Sequence, residues 1–186
     1  MNRCLKTLIL LFAGQILCFS QGMVLFEEED ITFEIKDSVF IVQGLYYFDS
    51  PVEKEYSFLF PFPADPIYGK PCNIRVENIS TGDTIIFRTS KDFSSIAFPA
   101  VIHGETTLSI SYRQKLNANR AKYILLSTNY WGKPLKQVDY KLVTAPDLKI
   151  KRFSYPPDKE ISLNNKRIYL WQKENFRPVK DFEIEY

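Results

Sequence analysis

Four consecutive acidic residues, Glu27 to Asp30, are the first feature of the sequence that could carry chemistry. Glycoside hydrolases use a pair of carboxyl groups, so such a run deserves a test against that activity. Successive residues of a strand point to opposite faces, and these four side chains therefore cannot all converge on one substrate. We interpret the run as a solvated edge strand that discourages pairing with other chains. A carboxylate-dependent glycoside hydrolase stays as the alternative.

The sequence contains few residues that could bind a metal or support nucleophilic catalysis. His103 is the only histidine, although zinc sites and proton transfer near neutral pH depend on imidazole. It precedes Gly104 and Glu105 in a pattern typical of a hairpin tip. The sequence has no HExxH, GxSxG or CxxC motif, and the acidic run lacks the spacing of a calcium loop. Cys72, which follows a proline, is predicted to be a small core residue. We predict no catalytic residue, metal or cofactor.

Aromatic residues provide the first candidate for binding. Tyr130 and Trp131 lie beside Gly132, Lys133 and Pro134, residues that favour a turn. An exposed tyrosine and tryptophan would suit a glycan or the centre of a protein interface. The alternative is that the tryptophan is buried and closes one end of a β-sandwich.

Charge is distributed unevenly along the chain. Residues 21–95 contain 6 basic and 13 acidic residues, whereas residues 96–186 contain 16 basic and 9 acidic ones. Arg113 and Lys115 share one face of a predicted strand, which could offer a basic surface to an anionic envelope component. The alternative is that the two halves interleave and neutralise each other across neighbouring strands. The ligand-binding candidates are Tyr130, Trp131, Lys133, Arg113 and Lys115.

Alternation of apolar and polar residues with a period of two runs through most of the sequence and predicts strand after strand. Turn residues recur about every ten residues, the spacing of an antiparallel sandwich or barrel. We therefore predict an all-β protein, an antiparallel Ig-like β-sandwich with little helix. The best candidate for a helical turn is Trp131–Gln137. Three runs are apolar throughout and predict central strands that are covered on both faces: Val39–Val42, Phe58–Phe60 and Tyr123–Leu126.

The first twenty residues predict export. Arg3 and Lys6 precede a short apolar stretch, and Cys18-Phe19-Ser20 is a plausible cleavage site for a secretory signal peptide. Lipid modification of Cys18 is an alternative, although the residues before it are not small. Cleavage after residue 20 removes two basic residues and leaves 22 basic and 22 acidic ones, so the charge does not favour nucleic-acid binding. We expect residues 21–186 to form a single sandwich domain without a membrane span, secreted or periplasmic.

Two stretches of the sequence, Ile31–Pro63 and Tyr123–Pro134, carry a resemblance to known proteins. The first contains Ile-Thr-Phe-Glu-Ile-Lys, then Val42-Gln43-Gly44-Leu45-Tyr46-Tyr47-Phe48, then Phe58 to Pro63. This part of the chain resembles secreted bacterial Ig-like β-sandwich families of unknown function. The resemblance implies a fold and a location outside the cytoplasm, and it transfers no catalytic residue.

The functional prediction follows from these observations. We expect a non-catalytic protein of the bacterial cell envelope that recognises an envelope protein or a glycan through a sheet face or end loops. The alternatives are the glycoside hydrolase named above and a structural subunit or assembly factor of an envelope complex.

Overall fold

A computed structural model describes residues 24–63 and 65–186, so the predicted signal peptide lies outside the described residues. The described part is mostly β-structure with two short 3-10 helices, Pro66–Tyr68 and Leu126–Trp131. Its twelve strands are β1 Leu25–Lys36, β2 Val39–Pro61, β3 Pro71–Asn78, β4 Asp83–Thr84, β5 Arg88–Thr89, β6 Ser95–Lys115, β7 Arg120–Tyr123, β8 Leu135–Thr144, β9 Arg152–Phe153, β10 Lys159–Leu163, β11 Lys166–Phe176 and β12 Phe182–Glu185.

The strands form a large sheet of nine strands and a small sheet of three. The large sheet has the order β10-β11-β8-β1-β2-β6-β3-β4, with β5 paired to β6, and the small sheet has the order β7-β12-β9. Neighbours run antiparallel, except that β1 and β8 are parallel. The predicted all-β, antiparallel sandwich with little helix is confirmed.

The core lies between one face of the large sheet and the small sheet. Along β1 the buried residues Ile31, Phe33 and Ile35 alternate with more exposed polar ones, and β2, β6 and β8 repeat the pattern. From the small sheet, Phe182 and Ile184 of β12 pack against this inner face. The period of two in the sequence thus reports a sheet with one covered and one outer face.

Strand β1 is an interior strand, which corrects the interpretation of the acidic run as a solvated edge. It pairs with β2 on one side and with β8 on the other. Because β8 comes from the basic half of the chain, the two halves interleave in the sheet. Ion pairs accordingly join Glu27 to Lys136 and Glu34 to Lys166.

The long strands β2 and β6 pair along almost their whole length, with an irregularity between Ser50 and Lys54. His103 lies within β6, so the predicted hairpin tip is wrong. Gly104 follows it with a φ of 55°. This positive φ allows the long strand to bend without a break. The His103 side chain is exposed and lies 3.9 Å from the Glu53 carboxylate.

Other local predictions also need correction. Leu59 is 71% exposed, so Phe58–Phe60 is covered on one face only. Tyr123 ends β7, and the helical turn occupies Leu126–Trp131 and not Trp131–Gln137, since β8 already begins at Leu135. Cys72 is exposed and not part of the core. Among the described residues, no helix has the length and apolar character needed to cross a membrane.

Candidate functional site: a buried carboxyl group in an aromatic cavity

Glu29 of β1 is the one acidic residue that the core of the described chain encloses. Its exposed fraction is 2%. A bulge in β1 between Phe26 and Glu28 shifts the register against β2, so Phe26 and Glu29 both reach the inner face although they are three residues apart. Beyond the bulge, Glu29 is in phase with Ile31 and faces the core. The neighbouring Glu28 lies on the outer face of the same strand.

A single hydrogen bond supports the Glu29 carboxyl group. The Tyr140 hydroxyl of β8 donates to its Oε2 over 2.5 Å, the only hydrogen bond that the described residues provide to this carboxyl. Burial raises the pKa of Glu29 from 4.5 to about 7, and the bond from Tyr140 opposes that rise. Desolvation prevails because no cationic side chain among the described residues pairs with the buried carboxylate. Glu29 therefore exchanges a proton close to neutral pH.

Three buried tyrosines, Tyr46, Tyr123 and Tyr140, interact with the charge of this carboxyl group. The hydroxyl oxygens of Tyr46 and Tyr123 lie 3.1 Å apart and form a buried hydrogen bond. Burial raises the pKa of Tyr46, Tyr123 and Tyr140 well above 10, and the charge of Glu29 adds to the rise in each. These phenols consequently stay neutral and act as hydrogen-bonding groups only.

Gly44 explains the position of the Tyr46 ring. A Cβ at residue 44 would lie 2.5 Å from the Tyr46 hydroxyl oxygen and 2.7 Å from its Cζ atom. The ring therefore lies across the glycine backbone, where any side chain would displace it. Glycine at this position allows a buried aromatic ring to cover the strand, a known way of packing glycine in a sheet.

A cavity of about 70 Å³ lies beside Glu29. Eight of the residues that line it are aromatic, and none is lysine, arginine or histidine. The centroids of the Phe26, Phe48 and Phe58 rings lie 5.6, 5.4 and 6.0 Å from that of Trp131, which covers one side of the space. The volume exceeds that of one water molecule, so the cavity has room for a small polar group next to the carboxyl.

The 3-10 helix Leu126–Trp131 positions the covering tryptophan. The Asp181 Oδ1 accepts hydrogen bonds from the backbone amides of Leu125 and Leu126, each over 3.0 Å. At the other end, the Arg177 guanidinium donates to the Gly132 carbonyl oxygen over 2.7 Å. Gly132 has a φ of 78° and ends the helix in the left-handed region. The connection between β11 and β12 thus holds both ends of the helix.

An apolar groove of about 740 Å³ adjoins the cavity on the outside. The two share lining residues, among them Phe58, Leu59 and Trp131. Tyr130, which is 93% exposed, and Leu59 present large apolar surfaces to solvent here. Leu126 extends the apolar surface of the groove, so that the buried carboxyl lies beneath an exposed apolar rim.

The structure brings together only some of the five predicted binding residues. Tyr130 and Trp131 line the groove, and Trp131 is half-buried, so both the exposed and the buried interpretation hold in part. Lys133 is exposed just beyond the helix but lines neither the cavity nor the groove. Arg113 and Lys115 are exposed on the outer face of β6 and also line neither. Among the described cavities, the one that Arg113 lines shares no residue with this groove.

Sequence reasoning missed Glu29 as a site residue, although a signal was present. Extending the alternation of Ile35, Phe33 and Ile31 backwards by two residues places Glu29 on the apolar face. The charge of the run hid this, because four adjacent acids resemble a solvated segment. Tyr140 lies 111 residues away in the chain, and no local pattern predicts that it reaches Glu29.

The cavity and the groove offer few groups for catalysis or for metal binding. Glu29 is the only acidic residue that lines the described cavity, whereas glycoside hydrolysis requires two carboxyl groups. Asp181 borders the groove, but it pairs with the Lys122 ammonium at 2.9 Å and accepts the two amide bonds described above. Within residues 24–63 and 65–186, no three His, Cys, Asp or Glu side chains are grouped to hold a metal ion.

Comparison with known proteins shows that this fold is similar to part of two solved structures. No protein-family model matches the chain, and no curated protein matches it in sequence. Among solved structures, an M1 zinc metallopeptidase from Deinococcus radiodurans matches with a TM-score of 0.53 and 7% identity, covering 89% of this chain and 43% of that one. A point mutant of the same enzyme matches with a TM-score of 0.54 and 6% identity, covering 89% and 42%. The chain thus spans less than half the length of these structures, and at this identity the likeness concerns the fold alone.

Proposed function

We propose that this chain is an exported, non-catalytic binding protein of the bacterial cell envelope, and that its apolar groove holds side chains of a partner protein. The observation that carries the proposal is the exposure of Tyr130 and Leu59, which both line the groove and are 93% and 71% exposed. Exposed apolar surface of this kind costs solubility and is typical of interaction sites.

The chemistry of the groove favours a protein over a glycan. Seven of the ten described lining residues are apolar or aromatic, and Asp181, the one charged residue among them, already pairs with Lys122 and accepts two backbone amide bonds. Glycan sites combine aromatic rings with polar groups for the sugar hydroxyls, whereas the centre of a protein interface is poor in charge and rich in aromatic residues. Tyrosine and tryptophan are also the residues that contribute most to protein interfaces. A glycan is therefore the second candidate for the ligand of the groove.

The rigid support of the groove favours binding without a large rearrangement. Asp181 and Arg177 hold the two ends of the helix that presents Tyr130. Asn129 adds a hydrogen bond from its side-chain amide to the Pro178 carbonyl oxygen over 2.9 Å. Because less ordering is needed on binding, more of the apolar contact contributes to affinity.

The test is site-specific photo-cross-linking in the native cell. A photoreactive amino acid replaces Tyr130 in one variant and Ile86 in a control, since Ile86 is 87% exposed and does not line the groove. We expect one protein adduct from position 130 and none from position 86. Adducts that appear equally at both positions, or at neither, would contradict the proposal. An adduct that a glycan-degrading enzyme removes would favour the glycan.

The partner identified in this way permits a quantitative measurement. The purified protein and its Tyr130→Ser and Leu59→Ser variants are titrated with that partner by calorimetry. We expect each substitution to weaken binding by about tenfold or more, as for residues at the centre of an interface. Ile86→Ser serves as the matched control and should leave the affinity unchanged. Cell fractionation tests the proposed export.

A further inference from the structure

The cavity at Glu29 contains a group that the proposed interface does not need. A buried carboxyl costs stability whenever it is charged, and leucine or methionine would fill the same position without that cost. Tyr140 reaches only Oε2, which leaves the second oxygen without a hydrogen bond from the described residues. Glu29 also lines the cavity. A nearly fully buried acceptor is therefore available for a donor that comes from outside.

The walls of the cavity favour a cation as that donor. The faces of aromatic rings carry negative electrostatic potential, and ammonium groups bind against them within about 6 Å of the ring centroid. Eight aromatic residues line the space together with the Glu29 carboxyl group, and none of its described lining residues is basic. An anion would meet like charge, and an apolar group would leave the carboxyl unsatisfied.

We propose that this cavity binds an alkylammonium group, supplied by a lysine side chain of the protein that occupies the groove. The inference rests on the proposed function for the source of the lysine, because cavity and groove share Phe58, Leu59 and Trp131. The alkyl chain passes between these apolar side chains, and the ammonium group donates to Glu29. Tyr46 and Tyr123 lie beside it with further oxygen atoms.

The first experiment uses n-butylammonium chloride as the probe and the purified protein as the receptor. Nuclear magnetic resonance reads the indole N–H signals of the two tryptophans, because Trp131 lines the cavity and Trp171 does not. We expect saturable shifts at Trp131 and not at Trp171. The uncharged analogue n-butanol should bind at least tenfold more weakly. Equal binding of both compounds, or no shift at Trp131, would overturn the inference.

Variants and pH provide independent readouts. Glu29→Gln keeps the shape and removes the charge, and we expect it to weaken butylammonium binding by at least tenfold. Glu28→Gln on the outer face is the matched control and should bind as the wild type does. In the wild type, a carboxyl that titrates near pH 7 should give about tenfold tighter binding at pH 8 than at pH 6. Affinity that is independent of both residue 29 and pH would contradict the site.

A final experiment distinguishes failure of this inference from failure of the proposed function. The cross-linked partner is titrated against Glu29→Gln and Tyr130→Ser. Loss of affinity in both variants, together with loss on substituting a partner lysine by methionine, supports a lysine in the cavity. If only Tyr130→Ser loses affinity for the partner, the groove is the binding site but no partner lysine enters the cavity, and the inference is wrong. Binding of butylammonium but no effect of partner lysines would mean that a free alkylamine is the ligand, contrary to the source proposed here.

Discussion

The inner face of the large sheet has two ends that use the same kind of residue for different purposes. Beneath the small sheet, Phe33 stacks with Phe40 and Phe182 at centroid distances of 5.5 and 4.9 Å, and none of the described cavities is lined by these rings, so we call this the filled end. Beneath the 3-10 helix, Phe48 and Trp131 make contacts of similar length, 5.4 Å, around a cavity that contains a carboxyl group.

The difference lies in what closes each end. A second sheet covers the first end with alternating side chains that interdigitate, as in any sandwich. A single short helix covers the second end, and it contributes one large side chain inward and another, Tyr130, outward. We infer that the filled end provides stability and that the open end exchanges some stability for a place to bind.

Truncating one aromatic side chain at each end should separate the two roles most strongly. Phe33→Ala removes a fully buried ring and should cost about 3–5 kcal/mol of unfolding free energy. Trp131→Ala removes a half-buried ring beside an existing cavity and should cost less than half as much. Urea denaturation of both variants measures the difference. Equal costs would show that the open end is as important for stability as the filled one.

The pH dependence of stability is the next largest effect. Between pH 4.5 and 7 the folded protein keeps a proton on Glu29 that the unfolded chain has lost. Folding stability therefore falls as the pH rises through this window, by about 3 kcal/mol in total, and is constant with respect to this group above and below it. Glu29→Gln should remove that fall and be the more stable protein at pH 8.

Urea denaturation of the wild type and of Glu29→Gln at pH 5 and pH 8 checks this expectation. Glu28→Gln is the control, because its side chain lies on the outer face and should leave the pH dependence as in the wild type. Parallel pH profiles for wild type and Glu29→Gln would mean that the carboxyl is solvated after all.

The smallest effect concerns the hydrogen bond from Tyr140. Tyr140→Phe removes the only donor that the described residues provide to Glu29, and it should raise the pKa of Glu29 beyond about 7. The cost in stability should be about 2 kcal/mol at pH 8, where the lost bond is to a charged group, and smaller at pH 5. Tyr47→Phe, on the outer face of β2, is the control. A cost independent of pH would indicate that the hydroxyl serves packing and not the carboxyl.

The strands were predictable because alternation is a local property. The segment from Ile31 to Ile35 shows its buried and exposed faces in five residues. Strand order was not predictable, because the parallel pairing of β1 with β8 joins segments about a hundred residues apart. The interior position of the acidic run depends on that pairing.

The residues of the candidate site also differ in whether a local sequence pattern could predict them. Tyr130 and Trp131 were predictable because two large rings beside turn residues stand out in the sequence. The inward position of Glu29 follows from the alternation of Ile31, Phe33 and Ile35, but its hydrogen bond from Tyr140 and the cavity beside it depend on distant strands. Arg113 and Lys115 do share one face of a strand, as predicted, and Lys133 follows Trp131 in the chain, but no local pattern shows whether a side chain borders the groove.

The pKa of Glu29 tests the central claim most directly. Carbon-detected nuclear magnetic resonance follows the side-chain carboxyl carbon during a pH titration, and the Glu29→Gln spectrum assigns the signal. The account predicts a midpoint near pH 7, which shifts to lower pH when n-butylammonium is added. A midpoint near pH 4.5 that is insensitive to the cation would contradict a buried carboxyl in a cation-binding cavity.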